Sequence, residues 1–126
     1  MSKWDFDDPL GLGRFLLAEL TDEEVLGTCK ANVGAVGYKL GKVVVTTRRV
    51  FGWRDGFFSG VATNEVPLAK VTTVEHRKPK GLSEGSCDRV LMLTGPAVAV
   101  EYRCLSDWGD AAQAISDWLE KRYSGQ

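Results

Sequence analysis

Nine cations crowd the middle of this chain: Lys30, Lys39, Lys42, Arg48, Arg49, Arg54, Arg77, Lys78 and Lys80. Gathered at one mouth of a fold, they would raise the local potential and attract phosphates or acidic peptides. Strand alternation opposes that gathering, because it sends neighbours such as Arg48 and Arg49 to opposite faces. The two readings, an anion patch (Lys30, Lys39, Lys42, Arg48, Arg54, Arg77, Lys78, Lys80) and dispersed solvated charge, both stand at the level of sequence. Arg49 reads as structural, its planar head stacked on an aromatic ring.

The residues of covalent catalysis are sparse. His76 is the single histidine. Cys-x-x-Cys, His-x-x-x-His, Gly-x-Ser-x-Gly and P-loop patterns are all missing. Gly11-Leu12-Gly13 lacks the third glycine and the preceding strand of a dinucleotide loop. Glu75 and His76 are adjacent on a strand and face opposite ways. A small enzyme working with carboxylates alone stays as an alternative, but no pair declares itself. No catalytic residue, metal site or cofactor is expected. Three cysteines without metal spacing fit a reducing cytoplasm.

Charge is balanced overall, at 16 basic and 17 acidic side chains, so nothing pulls the chain towards nucleic acid. The distribution is uneven. Residues 1–27 set Lys3 and Arg14 against seven acids, whereas residues 28–80 set ten basic side chains against Asp55, Glu65 and Glu75. The acidic ends either leave a basic middle exposed or fold over it. The opening Met-Ser-Lys-Trp-Asp, followed by Asp7 and Asp8, does not read as a secretory leader. No apolar run approaches the roughly 18 residues of a membrane span. The expected location is cytoplasmic.

The elements that position these residues are seven strand-like runs and a helix at each end. Asp8-Pro9 caps a short helix over 9–20, with Leu12, Phe15, Leu16 and Leu20 on its apolar side. That stripe packs on its own domain or docks on a partner. Strands are predicted over 24–33, 39–46, 48–54, about 57–68, 70–78, 88–94 and 97–104. Asp55-Gly56 reads as a two-residue type I′ turn, which puts Trp53 opposite Phe58 and Phe51 opposite Gly60. Gly95-Pro96 reads as a two-residue type II′ turn. It puts Leu93 opposite Val98, Leu91 opposite Val100, Arg89 opposite Tyr102 and Asp88 opposite Arg103. It also brings Cys87 opposite Cys104, within reach of a disulfide, although all three thiols are expected to stay reduced. Cys29 reads as core. A final helix from Ser106 or Asp107 carries Trp108, Ala111, Ala112, Ile115, Trp118 and Leu119 on one stripe.

This order resembles bacterial pleckstrin-homology-like domains, relatives of the PH and GRAM domains. The resemblance rests on Val43-Val44-Val45-Thr46-Thr47-Arg48-Arg49-Val50-Phe51, on Val66-Pro67-Leu68-Ala69-Lys70-Val71-Thr72-Thr73-Val74, on the Gly95 hairpin and on the C-terminal helix, over about residues 23–122. It implies a mainly β (β+α) fold: a seven-stranded bent barrel capped by a C-terminal α-helix, with a short N-terminal helix outside the family core. It also implies a non-catalytic module that binds headgroups or peptides or builds oligomers. Lipid-binding members carry Lys and Arg around the loop between strands one and two; here that loop, Ala31 to Gly37, is uncharged.

The organisation expected is an N-terminal extension (1–22), a barrel domain with its helix (23–123) and a tail (124–126). The function expected is contact with a protein partner or with a second copy, with Leu12, Phe15, Leu16 and Leu20 as one candidate surface. Its alternative is an anionic membrane surface or another phosphate-bearing ligand held by segment 30–80.

Overall fold

A computed structural model describes residues 12–33, 40–55, 60–81 and 87–124. The elements are α1 (Arg14–Glu19), β1 (Val25–Asn32), β2 (Leu40–Thr46), β3 (Arg49–Asp55), β4 (Gly60–Pro67), β5 (Thr73–Arg77), β6 (Arg89–Thr94), β7 (Ala99–Cys104) and α2 (Trp108–Ser124), with a 3-10 turn at Leu68–Lys70. The first helix begins at Arg14, after Gly13 with φ 88°, and not at Pro9 as expected, because Leu12 and Gly13 are not helical; Asp8-Pro9, the Gly34–Gly37 loop, Lys39 and Phe58 lie outside the described residues.

The seven strands form one antiparallel sheet in the order β4-β3-β2-β1-β7-β6-β5. Two meanders of consecutive strands are thus joined through β1 and β7. The joint is narrow: Ala31 faces Cys104, Asn32 faces Arg103, and the Leu105 N–H donates to the Lys30 carbonyl at 2.9 Å. The sheet does not close into a barrel. Pro67 has no N–H to extend a ladder, and the chain turns through Leu68–Lys70 before β5 begins. Among the described residues no ladder links β4 to β5. Tyr102 crosses the interior instead, its hydroxyl donating to the carbonyls of Asn64 and Val50. Burial pushes the Tyr102 hydroxyl pKa far up, so it stays a donor.

Strand alternation builds two cores. Inward residues Cys29, Ala31, Val43, Val45, Val50, Val66, Leu91, Leu93 and Tyr102 meet Ala111, Ile115 and Leu119 of α2. On the outer face of β2 and β3, Val44, Phe51 and Trp53 meet Leu12 and Leu16. The first helix therefore packs on its own domain. Helix α2 comes very close to β1: a Cβ at Gly27 would lie 2.8 Å from the Ala114 Cβ and 2.9 Å from the Asp110 carbonyl oxygen. Asp107, just before α2, accepts the Lys30 backbone N–H at 2.9 and 3.0 Å and so ties the helix start to β1.

Both hairpin registers differ from the sequence expectation. Asp55 faces Gly60 and Trp53 faces Ala62, so four residues join β3 to β4 where a two-residue turn at Asp55-Gly56 was expected. Gly60 accommodates Trp53, not Phe51, because a Cβ there would lie 1.9 Å from the Trp53 ring. Thr94 faces Ala99, Leu93 faces Val100, Leu91 faces Tyr102, Val90 faces Arg103 and Arg89 faces Cys104. Gly95 does not take the positive φ of a type II′ turn; its N–H bonds the Val98 carbonyl at 2.9 Å across a four-residue loop. The β6–β7 register moves by two residues and the β3–β4 register by four near its turn, both even, so side chains there keep their expected faces. A bulge between Val50 and Gly52 adds one more residue and shifts the pairing of Val50 with Val66 and Arg49 with Pro67 by an odd number. Burial fixed the face, and the longer loop fixed the rung. Cys87 consequently does not face Cys104. All three cysteines are buried and none forms a disulfide. The thiol beside Cys29 is that of Cys104, and together with burial it pushes the Cys29 pKa far up.

Candidate binding sites

Lys30, Lys42 and Trp53 stand in one row across β1, β2 and β3, since Lys30 faces Lys42 and Lys42 faces Trp53. Like charges directly opposite one another repel. Among the described residues neither ammonium has an ion-pair partner. The row borders a cavity of about 370 Å³ that Leu40, Asp55 and Asp107 also line. The Trp53 indole N–H donates to the Asp55 carboxylate at 2.9 Å, which fixes the ring as one wall. The cavity thus offers two cations and an aromatic face, with two carboxylates at its border.

The other cations of the middle segment do not join this pair. Arg54 faces Val61, on the opposite face from Trp53. Arg48 lies in the β2–β3 turn, at the far end of β2 from Lys42. Arg77 ends β5, with three strands between it and β2, and reaches Glu101 at 3.7 Å. Lys78 and Lys80 follow it, both exposed. The strand order therefore disperses all but two of the described members of that set.

Arg49 is the most heavily engaged cation. Its guanidinium lies 4.4 Å from the Phe51 ring centroid, the stacking expected from sequence. It also binds Glu23 at 2.8 Å, Glu19 at 3.1 Å and Glu65 at 2.7 Å. Glu23 in turn accepts the Thr46 hydroxyl at 2.7 Å. The Arg49 guanidinium beside it holds the Glu23 carboxyl below its usual range. One side chain of β3 so fastens the end of α1, the approach to β1 and the edge strand β4. None of these partners was visible in sequence, because each lies sixteen or more residues away.

A second concavity of about 340 Å³ lies between β5 and α2. Val74, Leu91 and Ala112 are apolar residues of its lining; His76, Gln113 and Ser116 are polar ones. His76 packs on Trp108 with ring centroids 4.4 Å apart, forming one wall. β5 is an edge strand, so its outward backbone groups adjoin this groove. The sequence placed β5 and α2 but not their adjacency. A helix stripe says how wide an apolar face is, not which strand it meets.

The candidate apolar surface of the first helix is largely spent. Leu16 is wholly buried and Leu12 is 4% exposed, both against β2 and β3, and Phe15 and Leu20 are partly buried beside them. No cluster of three or more metal-ligating side chains occurs among the described residues. No described helix is long and apolar enough to cross a membrane. Comparison with known protein families, with curated proteins and with solved structures found no match.

Proposed function

We propose that this chain is a non-catalytic, pleckstrin-homology-like interaction module that takes an extended segment of a protein partner, or of a second copy, along β5. The observation that carries the reading is an edge strand, β5, that forms a ladder on one side only among the described residues and lies beside the groove at α2. Strand addition draws affinity from main-chain hydrogen bonds and specificity from pockets for alternate side chains, and this edge offers both. The strand order and the C-terminal helix support the family reading. A displayed library of random peptides, selected on the full chain, tests the site. Binding peptides are expected to lose at least tenfold in affinity on Ala112→Trp, which fills the groove, and to shift the β5 amide resonances. Peptides that bind the Ala112→Trp chain equally well would reject the site.

A second reading has its own observation: the facing Lys30 and Lys42 beside Trp53. An anionic headgroup placed between them would relieve their repulsion. Sedimentation with vesicles rich in anionic lipid is expected to show binding that falls with salt and on Lys42→Ala. Absence of binding at low salt would remove this reading.

A further inference from the structure

Among the described residues β5 forms a ladder with β6 alone. Val74, Leu91 and Ala112 give the groove beside it an apolar floor, and His76 stacked on Trp108 gives it an aromatic wall. The strand ends at Arg77 and runs on into Lys78 and Lys80, both exposed. An occupant that fits has apolar side chains at alternate positions for the groove, then acids for the basic end.

One stretch of this chain has that composition. Trp4-Asp5-Phe6-Asp7-Asp8 lies outside the described residues, and its sequence sets two aromatics at alternate positions ahead of two acids. Such alternation suits a strand with one apolar side. Pro9 biases Asp8 towards extended backbone and, lacking an N–H, ends a ladder there.

Given the strand-addition site proposed above, on which this inference rests, we propose that Trp4–Asp8 of a second copy of this chain adds to β5 as a parallel strand. Charge sets the direction. Run parallel, Trp4 stands beside Val74 and Phe6 beside His76, while Asp7 and Asp8 stand beside Arg77 and Lys78. Facing opposite charges attract, and each aromatic in the groove would remove roughly 150–250 Å² from water. Asp5 beside Glu75 is the one like-charge pair, and Lys3 lies diagonal to Glu75 on the same side. An antiparallel strand with its aromatics at the same two positions would set Lys3 beside Arg77 and carry Asp7 and Asp8 to Thr73 and Thr72.

Tether length selects the second copy. Leu12 packs with Trp53 on the outer face. The facing rows Trp53–Lys42–Lys30 and Asn32–Arg103–Val90–Arg77 lead from there to the end of β5. They cross five strand gaps, about 24 Å over the outside of the sheet. Asp8 precedes Leu12 by four residues, a reach of at most about 14 Å. Its own Lys78 is out of range, whereas that of another copy is not.

The test follows the mass of the full chain by light scattering across a concentration series. Wild type is expected to rise from the monomer to at least twice its mass, and Trp4→Ala/Phe6→Ala to stay monomeric. A wild type that is monomeric throughout, or a double variant that associates equally, overturns the proposal. A peptide of residues 1–11, added to the Trp4→Ala/Phe6→Ala chain, is expected to shift the Thr73–Arg77 amide resonances. Its affinity is expected to fall about fivefold when that chain also carries Lys78→Glu, an exposed position, and to recover when the peptide carries Asp8→Lys. Equal affinity of the unaltered peptide with and without Lys78→Glu overturns the proposal. Library peptides that bind at β5 while this peptide does not would sink the inference and leave the groove standing; failure of both would sink both.

Discussion

Arg49 gathers more of this molecule than any other described side chain. It stacks on Phe51 and binds three carboxylates drawn from three parts of the chain. Removing one partner of a buried pair leaves the others uncompensated. Arg49→Leu is therefore expected to cost about 3 kcal/mol in urea unfolding, the low end of such losses, because Glu19 and Glu65 remain 41% and 52% exposed. Arg49→Lys keeps the charge but loses the planar fork and the stack. Its unfolding midpoint should fall between those of Arg49→Leu and wild type. Glu23 adds a pH dependence. Its folded pKa is depressed below the ordinary value of 4.5, so its contribution is fully present above that value. It is lost as pH falls through the folded pKa. Unfolding midpoints measured from pH 6 downward should drop more steeply for wild type than for Glu23→Gln. Equal slopes would show that Glu23 draws nothing from Arg49.

At the scale of elements, α2 packs tightly on β1 at Gly27. A Cβ there collides with Ala114 and with the Asp110 backbone, and a backbone carbonyl cannot swing aside. Gly27→Ala should cost about 1–3 kcal/mol, as overpacking does. Adding Ala114→Gly should recover part of that loss, which thermal unfolding of the single and double variants would show. Element positions were largely legible in sequence, because alternation in Val43-Val44-Val45 and the spacing of Ala111, Ile115 and Leu119 depend only on near neighbours. The hairpin rungs were not. Asp55-Gly56 and Gly95-Pro96 both suit tight turns, yet each connection uses four residues, and nothing local distinguishes the two. The Lys30–Lys42 pair was out of reach for a related reason. Both lysines were recognised, but their opposition depends on a β1–β2 register that no turn motif announces. That Arg49 stacks on an aromatic was expected from sequence, and the ring is that of Phe51, two residues on along the same face.

The whole molecule is a sheet open at β4 and β5, covered inside by α2 and outside by α1. All three cysteines lie within it, and burial together with the neighbouring Cys104 keeps the Cys29 thiol protonated. A thiol reagent should react slowly with native protein and count three thiols in the denatured, unreduced chain; a count of one would mean that two had paired. Most of the strand pairings join neighbours in sequence. The joint of β1 with β7 is the long-range one, and it comprises two facing pairs and the Leu105 bond. Folding of this chain accordingly has a separable last step. Each meander can zip from its own turns at little loop entropy, whereas Ala31 meets Cys104 only after most of the intervening chain has been ordered. Substitutions at that joint should leave the folding rate nearly unchanged and speed unfolding, while those along β2 and β3 should slow folding itself.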